Sequence, residues 1–248
     1  MTILTKRIIT RGLACIAITI LLASPAPAQT HTPSLPENKW LVLAEDQFSQ
    51  GHYTNAAQSA TTYLQTLSSF PGAVTTEAVD KAKFLFCVSG LKTNAYSAVD
   101  SAEKFLAETP NPAYKQRTAY ALAQYYFHHN QLTEAIPYYE IAGIANLSNK
   151  EIANAKFELA YCYFNNQDFE KAKPLFSSIK SYASSYNSAG NYYYGLLAYN
   201  HGNYKDALES FKKIENEQQY RPIVPYYIAE IHYFTGNREK PCRTHCAS

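Results

Sequence analysis

The sequence lacks the motifs by which the common enzyme classes are recognised. It has no H-E-x-x-H zinc motif, no G-x-S-x-G nucleophile elbow, no P-loop and no G-x-G-x-x-G dinucleotide loop. His128 and His129 are adjacent, so they point to different parts of a helix surface and do not form a ligand pair. Acidic residues such as Glu134 and Glu170 are scattered over surface positions. We therefore expect no enzyme activity and no cofactor.

An excess of positive charge is also missing. The whole chain has 22 basic and 20 acidic residues, but the first 28 residues contain three of the basic ones, Lys6, Arg7 and Arg11, and no acidic one. Without that segment 19 basic residues face 20 acidic residues, a net charge of −1. Nucleic-acid binding needs a clustered basic surface, so we expect no nucleic-acid partner.

No apolar run is long enough to cross a bilayer. The longest, "LACIAITILLA" at 13–23, follows a basic start and precedes small residues at 26–28. This order is that of a secretory signal peptide spanning 1–28, with the mature chain beginning at Gln29. The alternative is an interfacial helix that stays attached. We expect an exported, periplasmic protein associated with the cell envelope and without a transmembrane segment in the mature chain.

The cysteines do not form a disulfide framework. Four remain after the signal peptide: Cys87, Cys162, Cys242 and Cys246. We expect the first two to be buried free thiols and the last two to be able to pair after export. Cys242, His245 and Cys246 have the ligand types that zinc prefers, but three ligands in a tail make an incomplete site. No metal is therefore expected.

What the sequence contains instead is a repeated turn. The segments "FHHNQLTEAIPYY" (127–139), "FNNQDFEKAKPLF" (164–176) and "YNHGNYKDALESF" (199–211) share one layout. Their turn residues belong to a series with intervals of 43, 36, 37, 35 and 34 residues. Positions within a repeat are counted below from its turn residue, with negative numbers before it and positive numbers after it. The series is Gly51, Asn94, Asn130, Gln167, Gly202 and Gly236. Gly or Asn suits a residue of positive φ that closes a helix.

Small residues recur on both sides of this turn. Position −7 holds Ala44, Cys87, Ala123, Ala160, Gly195 and Ala229, and position +5 holds Ala56, Val99, Ala135, Ala172, Ala207 and Pro241. Two antiparallel helices approach closely where side chains are small, and large apolar residues at helical spacing fill the rest of the contact. The unit is an αα-hairpin that buries its apolar face by stacking on its neighbours.

This pattern resembles the tetratricopeptide repeat (TPR). "WLVLAEDQFSQGHYTNAAQSATTYLQ" (40–65), "FELAYCYFNNQDFEKAKPLFSSI" (157–179) and "YYYGLLAYNHGNYKDALESFKKI" (192–214) carry the motif at matching places. The resemblance implies an all-α, right-handed α-solenoid of stacked helix-turn-helix hairpins over 37–240, with about five repeats and the first helix of a sixth. A linker (29–36) and an irregular tail (241–248) flank the array. The Tyr-rich sequence is similar to periplasmic TPR proteins of Gram-negative bacteria, particularly Bacteroidetes.

Three places depart from the motif. Repeat 2 has Val99 in the small position and an additional segment, "SSFPGAV" (68–74), which we interpret as a loop. Pro137 and Pro174 fall inside second helices, where each removes one hydrogen bond. Pro241 stands where a small residue is expected, and no second helix follows. We therefore expect the chain to be part of a longer array or a truncated product, able to self-associate through the uncapped C-terminal end.

The resemblance places the binding groove on the first helices, at positions −13, −10, −6, −3 and −2. There we predict a partner-binding face that would accept a protein or peptide of unknown identity. Its residues are Phe84, Tyr120, Gln124, Phe127, His128, Phe157, Tyr161, Phe164, Tyr192, Tyr199, Tyr226 and Tyr233. The alternative is that these aromatic columns fill the seam between repeats. The function indicated is a non-enzymatic interaction scaffold of the bacterial envelope; a structural assembly component or a carbohydrate-binding protein are the other candidates.

Overall fold

A computed structural model of the protein describes residues 39–68, 76–180 and 185–236. These residues form eleven α-helices and one short 3₁₀ helix (Ile144–Asn146), and none of them lies in a β-strand. The helices are α1 (Lys39–Ser49), α2 (Tyr53–Ser68), α3 (Thr76–Lys92), α4 (Ala98–Glu108), α5 (Pro112–His128), α6 (Leu132–Ala142), α7 (Asn149–Asn165), α8 (Phe169–Ile179), α9 (Asn187–Asn200), α10 (Tyr204–Ile214) and α11 (Val224–Phe234). The predictions for 1–28, 29–36 and 241–248, and for nearly all of the 68–74 loop, lie outside the described residues.

Consecutive helices pair into hairpins, and each hairpin packs on the next. The hairpins are α1–α2, α3–α4, α5–α6, α7–α8 and α9–α10, and α11 packs on α10. The second helix of each hairpin also contacts the first helix of the following one. The protein is thus an all-α, right-handed α-solenoid of stacked helical hairpins, as the repeat predicted. None of the helices in the described part of the chain is long and apolar enough to cross a membrane.

The predicted turn residues close the first helices in the same way. Gly51, Asn94, Asn130, Gln167, Gly202 and Gly236 all have φ between 52° and 79°. The backbone N–H after the turn residue donates back to a carbonyl five residues earlier, as from Gln131 to Tyr126 (2.9 Å) and from Asn203 to Ala198 (2.8 Å). This is the hydrogen bond of a Schellman helix end, and it fixes the direction in which the second helix starts. The prediction of positive φ is confirmed, including at Gln167.

Small residues lie where the two helices of a hairpin meet. At position −7, Ala44, Ala123 and Ala160 are fully buried, and at position +5 so are Ala56, Ala135, Ala172 and Ala207. Gly195 makes the closest approach. A Cβ atom there would lie 2.6 Å from a ring carbon of Phe211, which is itself fully buried. The fifth hairpin therefore needs glycine at this position because the ring of Phe211 occupies the space of a side chain.

The second hairpin differs from the others in its turn. Its second helix begins at Ala98, four residues after Asn94, whereas the other second helices begin two residues after their turn residue. Val99, at the position where other repeats have a buried alanine, is only half-buried. The close approach of the two helices is instead made by Gly90 and Ala98, because a Cβ on Gly90 would lie 3.2 Å from the Cβ of Ala98. The longer turn leaves Tyr96 completely exposed. The expected irregularity of repeat 2 is thus an extension of its turn.

Polar side chains define several helix starts. Ser148 caps α7 in a capping box with Glu151, and Asp168 and Asn203 accept hydrogen bonds from the first turns of α8 and α10. Pro137 and Pro174 lie inside α6 and α8, as predicted, and both are exposed. At the surface, water can satisfy the carbonyl that a proline leaves without its helical partner.

Hydrogen bonds from tyrosine to carboxylate connect neighbouring hairpins. Tyr126 and Tyr138 both donate their hydroxyls to Glu103, over 2.9 and 2.6 Å, and Tyr163 donates to Glu140 over 2.6 Å. The pairs Tyr126–Glu103 and Tyr163–Glu140 are both 23 residues apart, so the same contact recurs between successive hairpins. These charge-assisted bonds fix the rotation of one hairpin against the next.

The buried apolar residues form two clusters. The smaller one lies between α1, α2 and α3 and contains Leu41, Ala44, Ala60, Tyr63, Ala82 and Leu85. The larger one runs from Cys87 in α3 to Ile231 in α11. Phe48 and Phe84 are partly buried and pack against both clusters. Cys87 and Cys162 belong to the larger cluster and are buried free thiols, as expected.

Candidate functional site

Three of the aromatic residues at position −10 stack on the following hairpin: Phe84, Phe157 and Tyr192. Their partners stand at position −16 of the next repeat, just before or within the first turns of its first helix. The stacked pairs are Phe84–Tyr114 at 5.0 Å, Phe157–Tyr186 at 4.3 Å and Tyr192–Tyr220 at 5.1 Å between ring centroids. The sequence analysis missed the column at −16, although its constant spacing from the turn residues was a usable signal. These rings therefore contribute to the seam between repeats.

The aromatic residues at position −3 also contact the next hairpin. Phe127 meets Tyr161 at 6.0 Å, Phe164 meets Tyr193 at 5.1 Å, and Tyr199 meets Tyr227 at 5.3 Å, each with the rings edge to face. Edge-to-face contact is a favourable arrangement for aromatic rings and adds to their burial. Both columns of the predicted binding face thus take part in packing between repeats.

Exposure varies strongly among the twelve predicted residues. Tyr120 and Phe157 are buried, with 5% and 8% of their surface exposed, whereas Tyr226 and Tyr233 in α11 are 72% and 64% exposed. His128 is exposed. The other members are half-buried: Phe84, Gln124, Phe127, Tyr161, Phe164, Tyr192 and Tyr199. The structure brings them together on the first helices, but it does not leave them as one evenly open trough.

Polar contacts run from the second repeat through the third to the fourth, and an ion pair replaces ring stacking between the third and fourth repeats. The Lys92 ammonium donates to Gln124 Oε1 over 2.8 Å, and Gln124 Nε2 donates to the Tyr120 hydroxyl over 3.0 Å. Arg117 forms a two-pronged ion pair with Glu151, both oxygens lying 2.9 Å from Nη1. Position −16 of the fourth repeat is Glu151, so this ion pair stands where other repeats have a stacked tyrosine. Gln124 of the predicted face is thus engaged with Lys92 and Tyr120.

Glu158 is the buried carboxylate of this region, with 1% of its surface exposed. The Tyr139 hydroxyl donates to it over 2.7 Å. Burial raises the pKa of Glu158 above its usual range, against the opposing effects of the Tyr139 hydrogen bond and the nearby Lys92. Sequence reasoning overlooked this residue. Its signal was a carboxylate at position −9, a column that otherwise holds apolar or aromatic residues such as Leu85 and Tyr193.

An open cleft of about 560 Å³ lies on the first-helix face between α7, the start of α9 and the 215–223 connection. Five aromatic residues line it: Phe157, Tyr186, Tyr192, Tyr193 and Tyr220. Phe157 and Tyr192 belong to the predicted face, whereas the other three were missed. Ile223, 41% exposed, also lines the cleft. An open cavity of this size, with aromatic walls and a few polar groups, is typical of sites that hold a ligand or a peptide segment.

The polar groups of the cleft lie at its edge. Glu217 and Gln219 come from the connection between α10 and α11, and Ser185 and Ser188 from the start of α9. Ser188 Oγ donates to Glu217 Oε1 over 2.7 Å, which ties the connection to α9. This hydrogen bond fixes the position of the Glu217 carboxylate beside the cleft.

The tyrosines of the cleft are held in their neutral form. Burial is the largest of the effects that raise the pKa above the usual 10.0 at Tyr186, Tyr192, Tyr193 and Tyr220. Negative neighbours add to the rise, namely Glu158 at Tyr186 and Glu217 at Tyr220. The tyrosine hydroxyls are consequently protonated and uncharged at physiological pH. Nothing in this arrangement of the described residues assembles a nucleophile with a base.

Comparison with known proteins agrees with this architecture. Residues 120–186 match the family model described as "Tetratricopeptide repeat". Among solved structures, the chain is similar to MamA AMB-1 (TM-score 0.55, 17% identity, 74% of this chain and 94% of that chain) and to a mutant of MamA (0.54, 18%, 71% and 93%). It is also similar to a tetratricopeptide repeat protein from Parabacteroides merdae (0.51, 17%, 80% and 73%). At these identities the likeness concerns the fold. No curated protein matches the sequence.

Proposed function

We propose that this TPR solenoid is a non-enzymatic scaffold that binds a segment of a partner protein on its first-helix face, the concave side of such arrays. The open aromatic cleft beside Phe157 and Tyr192 is the observation that carries the proposal. Tyrosine supplies broad, rigid contact area with a polar tip, which suits the recognition of peptides and proteins. The matching family model describes a repeat and not a catalytic domain, which agrees with a scaffold.

The burial of the aromatic columns decides how the proposal is tested. Replacing Tyr120 or Phe157 by alanine would damage the core, since truncating a buried Phe costs about 3–5 kcal/mol. Ile223 is a better target because it lines the cleft and is 41% exposed. Ile223→Asp places a charge at an apolar position of the cleft, at the residue before α11, where aspartate is tolerated as a helix cap. Ile141→Asp is the matched control, since Ile141 is 43% exposed on α6 and outside the cleft.

The measurement is chemical cross-linking in cells, followed by mass spectrometry of the species joined to each variant. We expect one or more partners to be recovered with the wild type and with Ile141→Asp, and to be lost with Ile223→Asp. Circular dichroism should show the same helicity and melting temperature for the two variants. Partners recovered equally with both variants would contradict binding in the cleft.

We further propose that the protein is exported and works in the bacterial envelope. The support is the sequence of residues 1–28, with its basic start, its apolar run of eleven residues and its small residues at 26–28. Intact mass measurement on protein purified from a Gram-negative host should give the mass of a chain that begins at Gln29. A chain that retains Met1 and is found in the cytoplasmic fraction would contradict export.

A second proposal concerns contact between copies of the chain. Tyr226 and Tyr233 of α11 stand at positions −10 and −3, which in the inner repeats pack against the following hairpin, and here they are 72% and 64% exposed. We propose that this face of α11 associates with a second copy. Light scattering should show a mass that rises with protein concentration, and Tyr233→Ser should shift the equilibrium towards the monomer. A concentration-independent monomer would refute this association.

A further inference from the structure

The charge of the aromatic cleft points to the chemistry of its occupant. Among the residues that line the cleft, Glu217 is the charged one, and it is exposed at the edge. Lys213 and Arg221, the basic residues nearest to it in the sequence, do not line the cleft. We infer that the cleft accepts a positively charged side chain, arginine or lysine, from the segment that the scaffold binds. This inference rests on the proposed function and specifies the partner that the same site selects.

The aromatic walls of the cleft can attract a cation. Phe157 stacks on Tyr186 with an interplanar angle of 10°, and Tyr192 stacks on Tyr220 with an angle of 26°. Tyr193 meets Tyr192 edge to face at 5.3 Å. The face of an aromatic ring is negative, so it attracts an ammonium or a guanidinium group, and the attraction is larger where water is partly excluded. A guanidinium can in addition stack flat on such rings.

Two carboxylates add negative charge in and near the cleft. The Glu217 carboxylate lies at the edge, fixed by the hydrogen bond from Ser188. Glu158 lies deeper in the fold, close enough for its negative charge to act on Tyr186. Lys92, the cation that acts on Glu158, donates to Gln124 across the second and third repeats. A cation entering the cleft would therefore meet ring faces and negative charge, with no positive side chain among the lining residues to repel it.

A neutral sugar would also stack on these rings, but its binding would not depend on the charge at position 217. This difference separates the two kinds of ligand. The cleft's single charged lining residue favours the cationic segment, and we therefore test for the charge itself. The probe is a set of three immobilised octapeptide pools with random flanks and one fixed central residue, which is arginine, citrulline or glutamate. Citrulline has nearly the shape of arginine without its charge.

Four variants accompany the wild type. Glu217→Gln removes the charge and keeps an oxygen to accept the Ser188 hydrogen bond; Glu134→Gln is its control, because Glu134 is exposed on α6 and outside the cleft. Tyr186→Leu removes one ring face of the wall and is compared with Tyr186→Phe, which keeps the ring. Thermal unfolding of each variant shows whether the fold is intact.

We expect the wild type to retain the arginine pool about tenfold more than the citrulline pool, and to retain the glutamate pool least. Glu217→Gln should reduce the preference for arginine to about threefold or less, while Glu134→Gln leaves it unchanged. A folded Tyr186→Leu should also weaken it, and Tyr186→Phe should not. Equal retention of arginine and citrulline pools, or a preference untouched by Glu217→Gln, overturns the inference but leaves binding in the cleft intact. Retention of none of the pools, with binding to neutral glycans on an array, overturns it in favour of a sugar ligand.

Discussion

The contact between Gly195 and Phe211 gives the sharpest test of how the hairpins pack. Gly195→Ala would place a Cβ 2.6, 2.9 and 3.0 Å from three ring carbons of Phe211. Since ordinary contact begins near 3.4 Å, the ring would have to move by close to an ångström. Phe211 is fully buried and stacks on Tyr227 of the next helix at 5.3 Å, so it has no free space on its other side.

The size of the effect follows from two opposing contributions. Overpacking a well-filled core costs about 1–3 kcal/mol, and the confined ring of Phe211 favours the upper end of this range. Alanine gains about 1 kcal/mol over glycine inside a helix. We therefore expect Gly195→Ala to lower the free energy of unfolding by about 2 kcal/mol, which for a domain of this size lowers the melting temperature by about 4–8 °C.

The assay is urea denaturation followed by circular dichroism, with Phe211→Leu and the double variant as a double-mutant cycle. In the Phe211→Leu background the smaller side chain leaves room for the new methyl group, so Gly195→Ala should cost at least about 1 kcal/mol less, as expected for residues in contact. A single variant as stable as the wild type, or a cost that is the same in both backgrounds, would refute the reasoning that this glycine is required by packing.

Three further predictions concern charges and thiols. Burial raises the pKa of Glu158 above its usual 4.5. The stability that its protonated form contributes is therefore complete below pH ~4.5 and is lost as the pH rises through the raised pKa. Urea denaturation over a pH series should show that the wild type loses stability relative to Glu158→Gln as the pH rises. Arg117→Ala should cost less than about 1 kcal/mol, as for other exposed ion pairs, whereas Glu151→Ala should cost about 1–2 kcal/mol because it also breaks the capping box of α7; chemical denaturation measures both. Burial raises the pKa of both Cys87 and Cys162 to about 12, so with the other cysteines replaced by serine a thiol reagent should react with these two only as the chain unfolds; fast reaction in the native state would contradict their burial.

The repeat architecture could be predicted because it depends on local rules. A residue with positive φ and two small residues at fixed distances specify a helical hairpin, and their recurrence specifies the stack. Even Gln167, which is neither glycine nor asparagine, adopts the left-handed conformation because its neighbours fix the turn. The turn of the second hairpin was predicted less accurately. Asn94 and Ser97 both have positive φ there, and the sequence did not show that the second helix begins only after Ser97.

The candidate site was harder to predict because it depends on contacts between repeats. The aromatic columns were identified, but whether a ring is exposed is decided by the residue that the next hairpin places against it. Tyr186 and Tyr220 cover Phe157 and Tyr192 in this way, and both lie outside the first-helix positions from which the binding face was predicted. Glu217 comes from a connection between helices, where no periodic pattern applies.

The division of the apolar core has a consequence for how the array opens. The cluster between α1 and α3 is small, and the partly buried Phe48 and Phe84 join it to the rest. In a linear array each unit is held by its neighbours, so the end with the smaller core should fray first. Amide hydrogens of α1 and α2 should then exchange with solvent faster than those of α7 and α8. The cleft beside α9 would keep its shape during local unfolding of α1 and α2, because these helices are several hairpins away.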